Sequence, residues 1–320
     1  MNDILVTVVC VAYNHEEYIR DALDNFAAQK TNFRFKVIVH DDASTDNTPR
    51  IIQEYAAKYP GLFVPILQKE NQYKTNPGFI RTFVQPQLEG KYFAICEGDD
   101  YWCDPNKLQE QFDFMEQHPD YVACVHNTLR YDCRTNKGTP FYENGKSRDI
   151  KLEDVVWKGG AAFHLSSLFG KKEYFLVPDE IRLLGNGDYS RAIYFTLSGK
   201  VRFLNKIMSV YRYYANGSWT ARTFSKPDLN KVIQLDRNII IMLDKLDKYS
   251  EGKYTGLFHE VMKAKEADIL FKQKNIVTMW QTKITSERFS KNTAQPGRAF
   301  CLQGRCARFC NARDLLSCLR

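Results

Sequence analysis

A chain of 320 residues, 44% hydrophobic and 26% charged, has the balance of a globular protein built as one large domain with an appendage or as two modest domains. Its apolar runs, such as Val8 to Tyr13, fall far short of the roughly 20 residues that span a bilayer, and the N-terminus has neither the basic start nor the cleavage site of a secretory signal. The net charge of +7 is concentrated at the end, where residues 291–320 hold six basic side chains against the single acid Asp314, so the body of the chain is no partner for nucleic acid.

The first 130 residues alternate between two periodicities. Ile4 to Tyr13 reads as a buried strand, and His15 to Gln29 as a helix with Tyr18, Ile19, Ala22, Leu23 and Phe26 on one face. Phe35 to Val39 is a second strand, ending at His40, Asp41 and Asp42. Thr48 is placed to cap a helix with Pro49 at its first position, running to about Tyr59. Leu62 to Leu67 is a third strand, and Phe79 to Leu88 a helix limited by Pro86. Tyr92 to Cys96 is a fourth strand and ends in Glu97, Gly98, Asp99 and Asp100. A helix from Asp104 to Gln117 and a fifth strand, Tyr121 to His126, complete the pattern.

Such alternation predicts an α/β fold with a mostly parallel sheet flanked by helices. Ligands of these sheets collect beyond the carboxyl ends of the strands, which brings Tyr13, Asp41, Asp42, Asp99 and Asp100 to one edge. Further on, 135–160 reads as a polar loop over the site, 185–212 as turn, helix and strand, and 228–290 as a helical extension with Ile233, Leu235, Ile239, Ile241, Met242 and Leu246 as its apolar set. The expected organisation is a catalytic domain over 1–222, the helical extension over 223–290 and a basic, cysteine-containing tail over 291–320. Of the nine cysteines, Cys10, Cys96 and Cys124 read as core residues, and the tail's Cys301, Cys306, Cys310 and Cys318 lack zinc-site spacing. His15, His40, His126 and His164 form no ligand spacing and read as structural.

Two adjacent acids after a buried strand, Asp99 and Asp100, put hard oxygen ligands on a tight exposed turn, which suits Mg²⁺ or Mn²⁺ facing a diphosphate; the bland alternative is a polar turn. Asp41 and Asp42 divide between a ribose or base contact and the Asx turn that leads into Ala43, Ser44 and Thr45. No G-x-G-x-x-G follows the first strand, and Pro140 stands where a phosphate loop ending at Gly145, Lys146 and Ser147 would need glycine, so phosphate contacts fall to the ion and to Arg81 or Arg212. Trp102 and Trp219 are either sugar-facing rings or packing.

The runs from Val6 to Asn14 (VTVVCVAYN), Val37 to Asp46 (VIVHDDASTD) and Glu97 to Trp102 (EGDDYW), with Gly187 and Asp188 ahead of an apolar helix and Met208 to Arg212 (MSVYR), resemble glycosyltransferase family 2 over residues 4–220. The resemblance implies a GT-A (Rossmann-like) fold and an inverting, metal-dependent transferase that takes its sugar from a nucleotide-sugar donor, by family tendency a UDP-sugar. It implies nucleotide contacts at Val11, Tyr13, Asp42, Arg81 and Asp99, the metal at Asp99 and Asp100 with Asp100 closest, and Asp188 as catalytic base. Arg212 and Trp102 fall toward the donor diphosphate or the acceptor. The chain departs from many members in having Tyr214 where a histidine is frequent two residues after the arginine, and Ile80, Arg81 and Thr82 where an arginine-asparagine pair is frequent. It lacks the Q-x-x-R-W motif of processive synthases, which favours single transfers. The acceptor expected is a glycan or lipid-linked oligosaccharide in surface polysaccharide assembly. The expected location is cytoplasmic, with the basic tail either solvated or in peripheral contact with the inner face of the membrane. A sugar-phosphate nucleotidyltransferase and an inactive nucleotide-sugar binding module are the alternatives.

Overall fold

The computed structural model describes residues 3–76, 78–143, 145–182, 187–224 and 228–292, with side chains described to 274 apart from 219, 223 and 224. The chain divides into two compact units, Met1–Lys226 and Pro227–Arg320. Most of the basic tail and its four cysteines, like the side chain of Trp219, lie outside the described residues.

The first unit begins with β1 (Ile4–Ala12), α1 (Ile19–Ala27), β2 (Arg34–Asp41), α2 (Thr48–Lys58), β3 (Phe63–Leu67), α3 (Gln72–Thr75) and β4 (Tyr92–Ile95). It continues with β5 (Tyr101–Trp102), α4 (Lys107–Gln117), β6 (Tyr121–Asp132), β7 (Lys137–Pro140), β8 (Arg148–Asp149), α5 (Leu152–Lys158) and β9 (Phe169–Lys171). It closes with α6 (Gly187–Ser198), β10 (Lys200–Tyr213) and α7 (Trp219–Phe224). The sheet runs β3-β2-β1-β4-β9-β6-β10-β5, with β7 on β6 and β8 on β10. The four strands of the parallel block β3-β2-β1-β4 are those expected from the sequence, and the structure sets their order. β6 does not join it directly: the short β9 lies antiparallel between β4 and β6, and β10 then pairs parallel to β6. β9 is only three residues long, too short to leave a periodic signal.

The core lies between this sheet and α1, α2 and α4, where Val6, Val8, Cys10, Phe26, Val37, Val39, Ile52, Tyr92 and Cys124 are buried. The chain passes from β1 to β2 on one side and returns to β4 on the other, so the end of β1 is the switch point of the parallel block.

Three local expectations are corrected. Thr48 lies inside α2 rather than capping it, because its Oγ1 accepts the His15 N–H at 2.8 Å while its own N–H goes to Asp46 Oδ1 at 2.9 Å. The segment before β4 is a π turn at Ile80–Val84 running into a 3₁₀ turn at Gln85–Gln87, since Pro86 has no N–H for a continuing helix. Residues 135–160 carry β7, β8 and α5 instead of one loop.

The second unit contains α8 (Leu229–Tyr249) and α9 (Thr255–Asn292), separated by a turn in which Glu251 and Gly252 have positive φ. Asp228 caps α8, accepting from the N–H groups of Asn230 and Lys231. Ile233, Ile239, Met242 and Leu246 of the expected apolar set are buried, while Ile241 is 55% exposed. Among the described residues no helix is long and apolar enough to cross a membrane.

Candidate active site

The site forms where β4 runs out. Gly98 donates its N–H to the Val11 carbonyl at 2.9 Å, and a Cβ there would meet His15 Nδ1 at 3.0 Å and Ala12 and Ile19 at 3.2 Å. Glycine is what lets the turn nest against the end of β1. One ligand oxygen from each of Glu97, Asp99 and Asp100 then lies within 4.8 Å of the others. Glu97 is open to water and Asp99 half-buried, but Asp100 is only 1% exposed, which corrects the expectation of an exposed carboxylate at that position. The cause is β10: the backbone N–H of Arg212 donates to Asp100 Oδ1 at 2.9 Å and draws the side chain under the turn. Asp100 Oδ2 is buried with no hydrogen-bond partner.

Three like charges this close resist ionisation. Burial, then Asp99 and Glu97, push the Asp100 carboxyl well above the usual range. Crowding by protein, then Asp99 and Asp188, push Glu97 up to about 8, although water still reaches it and moderates the effect. A divalent cation reverses each of these penalties. The orphaned oxygen and the all-oxygen donor set both fit an ion of the Mg²⁺ or Mn²⁺ type.

Asp188 enters from another direction, in the first turn of α6. The start of α6 is tied down by the Tyr189 hydroxyl, which donates to the Val156 carbonyl at 2.5 Å, and by Arg191, which donates to the Phe175 carbonyl at 2.7 Å. Asp188 is water-accessible yet crowded by protein, which raises its carboxyl, with Arg191 pulling it back down. It stands close enough to Glu97 for its charge to be felt there. The fold thus brings Asp188 and the acid turn, some 90 residues apart in the chain, into one electrostatic neighbourhood.

Arg212 is a clamp rather than a free cation. Its guanidinium donates to the Asp99 carbonyl at 3.0 Å and to Asp21, and lies 4.6 Å from the Tyr101 ring centre and 5.2 Å from that of Tyr18. Trp102 is fully buried: its Nε1 donates to the Ser166 carbonyl at 2.9 Å, Phe26 meets it edge-on at 4.8 Å, and Lys107 Nζ lies 4.0 Å from its ring. It is core, and the expectation that it faces donor or acceptor is corrected. Asp42 reaches the strand edge, but its oxygens accept the N–H groups of Gln72 at 2.6 Å and Tyr73 at 3.0 Å, so it serves the start of α3. Asp41 makes the Asx turn with Ser44. Arg81 pairs with Asp179 at 3.2 Å on the surface. Val11 and Tyr13 are half-buried at the end of β1, beside the acid turn.

Two histidines read as structural prove to flank the acids. His15 Nε2 lies 3.9 Å from Asp99 Oδ2, and His164 Nε2 lies 3.6 Å from Asp100 Oδ2. Neither has a signal in spacing, because each contact joins distant parts of the chain. Glu97 was visible as part of the acidic run but carried no role of its own.

An α/β sheet with an acidic turn at its switch point, faced by a separate carboxylate, defines the GT-A class of nucleotide-sugar-binding folds. The sequence model of glycosyl transferase family 2 matches residues 7–169, and the chain belongs to that family. The uncharacterized protein Rv1520 of Mycobacterium tuberculosis is 38% identical over 216 residues, which is 67% of this chain and 60% of that relative's length. The putative teichuronic acid biosynthesis glycosyltransferase TuaG of Bacillus subtilis is 28% identical over 136 residues, 42% of this chain and 50% of its own. Among solved structures, residues 1–349 of Staphylococcus aureus TarS in complex with UDP-GlcNAc match with a TM-score of 0.56 at 18% identity, covering 75% of this chain and 66% of that one. The mannosyltransferase PcManGT of Pyrobaculum calidifontis, in complex with GDP-Man and Mn²⁺, matches with a TM-score of 0.51 at 16% identity, covering 87% and 80%. At such identities the structural likeness speaks for the fold.

Proposed function

We propose that this protein is an inverting glycosyltransferase that moves a sugar from a nucleotide-diphosphate donor to an acceptor hydroxyl. The observation that carries this reading is the Glu97, Asp99 and Asp100 cluster at the end of β4, with Asp188 within electrostatic reach of Glu97, in a chain of this family. The acceptor oxygen forms a bond to the anomeric carbon, the bond from that carbon to the diphosphate breaks, and the nucleoside diphosphate leaves. Asp188 takes the hydroxyl proton as the new bond forms, from the face opposite the leaving group, which inverts the centre. Its raised carboxyl pKa suits a base near neutral pH.

A divalent ion, held by Glu97 and Asp99 with Asp100 behind them, would supply charge neutralisation to the departing diphosphate. Arg212 keeps the acid turn in place from β10. Tyr13 and Val11 offer the edge on which a nucleotide rests, and the complexes of TarS and PcManGT support a UDP- or GDP-linked donor, of which we favour UDP. TuaG, and the Staphylococcus aureus poly(ribitol-phosphate) beta-N-acetylglucosaminyltransferase TarS, 32% identical over 123 residues, support an acceptor in surface polysaccharide assembly.

The test is donor turnover with a panel of UDP-, GDP- and dTDP-sugars and Mn²⁺, comparing wild type with Asp188→Asn. The expected loss in kcat is about 10³-fold, within the range for removal of a general base, with donor affinity nearly unchanged. Equal turnover by the two proteins removes Asp188 from the chemistry. Pyrophosphate release from a nucleoside triphosphate and a sugar phosphate would point instead to the nucleotidyltransferase alternative.

A further inference from the structure

Behind the acid turn lies a buried polar chain that the transfer reaction itself does not use. His164 precedes the short 3₁₀ turn Leu165–Ser167, and its ring is stacked on Tyr211 of β10, with centroids 4.1 Å apart. The Ser166 N–H donates to His164 Nδ1 at 3.3 Å, and Ser166 Oγ lies 2.7 Å from the same nitrogen. A backbone N–H cannot reverse its role, which assigns Nδ1 as an acceptor and the hydrogen of the neutral ring to Nε2, with the Ser166 hydroxyl hydrogen shared between Nδ1 and Ser209 Oγ. That nitrogen faces Asp100 Oδ2 at 3.6 Å, the oxygen without a hydrogen-bond partner. On the far side, Ser166 Oγ is 2.9 Å from Ser209 Oγ on β10, which is 3.0 Å from Thr128 Oγ1 on β6. Ser166, Ser209 and Thr128 are all buried. The Trp102 indole holds the Ser166 carbonyl and so fixes the turn from a third side.

Two donors therefore converge on one carboxylate. The Arg212 backbone N–H takes Oδ1, and the His164 ring directs Nε2 at Oδ2 from 3.6 Å, beyond hydrogen-bond length. Ser166 holds the ring through its N–H and hydroxyl, and Ser209 and Thr128 in turn hold that hydroxyl. Such outer partners orient a ligand and set its affinity for metal without touching the ion.

We propose that His164 is a positioning residue: through Nε2 it holds the Asp100 carboxylate, and thereby the acid turn, in the metal-ready arrangement, and it is itself fixed by the buried hydroxyl chain Ser166, Ser209 and Thr128. The inference rests on the metal reading above. It makes the site dependent on a residue 64 positions from the acid it serves, and on hydroxyls that approach no substrate.

The experiment is calorimetric titration of Mn²⁺ alone into the full chain as wild type, His164→Ala, His164→Gln, Ser209→Ala and Asp99→Ala, with melting temperatures in EDTA as a check on folding. His164→Ala is expected to weaken Mn²⁺ binding by about 10–100-fold, the range found for loss of an outer-shell partner. His164→Gln keeps an N–H at similar reach and is expected to recover most of that loss. Ser209→Ala, which removes one oxygen far from the ion, is expected to weaken Mn²⁺ by at least about 3-fold, a smaller loss than that of the direct partner. A merely structural histidine would lower the melting temperature and leave Mn²⁺ affinity in place. Wild-type affinity in both His164→Gln and Ser209→Ala, with wild-type affinity in any folded His164→Ala, overturns the proposal while leaving the metal site standing. Absence of an Asp99-dependent Mn²⁺ site in the wild type overturns the metal reading, and this inference with it. Should His164→Ala fail to fold, Ser209→Ala decides: weakened Mn²⁺ binding supports the chain, unchanged binding overturns it.

Discussion

Asp100 in the first unit and Asp236 in the second are both carboxylates withdrawn from water, at 1% and 5% exposure, and the chain treats them in opposite ways. Asp236 on α8 is answered in full. Lys265 reaches one oxygen at 3.0 Å and Lys272 the other, and their spacing of two helical turns puts both on one face of α9. Asp100 is crowded by two more acids, takes one backbone N–H from Arg212 and only a distant pull from that residue's guanidinium, and one of its oxygens has no hydrogen bond at all. A buried charge left uncompensated is costly, so a fold retains one where something from outside completes it. The paired acid is a structural device between two helices, and the unpaired cluster is what the proposed function gives to a divalent ion.

That contrast can be broken at several points. Asp99→Ala should lower Mn²⁺ affinity by more than the roughly 100-fold at the top of the outer-shell range, with little change in the metal-free melting temperature, as read by calorimetry and circular dichroism. Retained affinity would mean that the cluster is not the ion's site. Asp236→Ala should leave Mn²⁺ binding untouched and cost about 2–3 kcal/mol in denaturant unfolding, somewhat below the usual penalty for breaking a buried pair because both lysines keep some contact with water. A neutral result there would make the second unit's ion triad as dispensable as a surface pair.

The pH dependence should separate the two regions further. The neighbouring acids raise the folded Glu97 carboxyl toward about 8, less far where water reaches it, whereas the unfolded side chain loses its proton near the ordinary glutamate value. Between those limits the folded state binds more protons, so the metal-free protein should lose stability as pH rises from about 5 to 8. Glu97→Gln should flatten that slope, and saturating Mn²⁺ should offset it by taking the proton's place. A melting temperature of wild type and Glu97→Gln that changes in parallel across this range would contradict the crowding of the acids. The smallest effect is expected at Trp102→Phe. It loses the hydrogen bond to Ser166 and about 1 kcal/mol of stability, yet should leave the KM for donor within about 2-fold, because the ring faces the core.

Much of this was readable along the chain, for an identifiable reason. The parallel block β3-β2-β1-β4, the helices between its strands and the acid turn after β4 are contiguous stretches whose local periodicity and end residues state what they are. The Asx turn at Asp41 was legible in the same way, since its partner Ser44 is three residues off. Asp188 could be named only through its family context, for a lone aspartate at the start of a helix looks like any first-turn acid.

What the chain's order could not show were the contacts made across it. Which acid of the turn faces the cleft was decided by the N–H of Arg212 on β10, 112 residues from Asp100, and by the strand pairing that delivers it. The same pairing buried Trp102 and set His164 against the carboxylate, while the N–H groups of Gln72 and Tyr73 gave the Asp42 oxygens partners at the start of α3. The linear sequence determined the family, the strand segments of the parallel block and the acids at their ends, because these are local patterns. Tertiary structure alone decided the exposure and partners of each acid, because burial and hydrogen bonding belong to the assembled sheet.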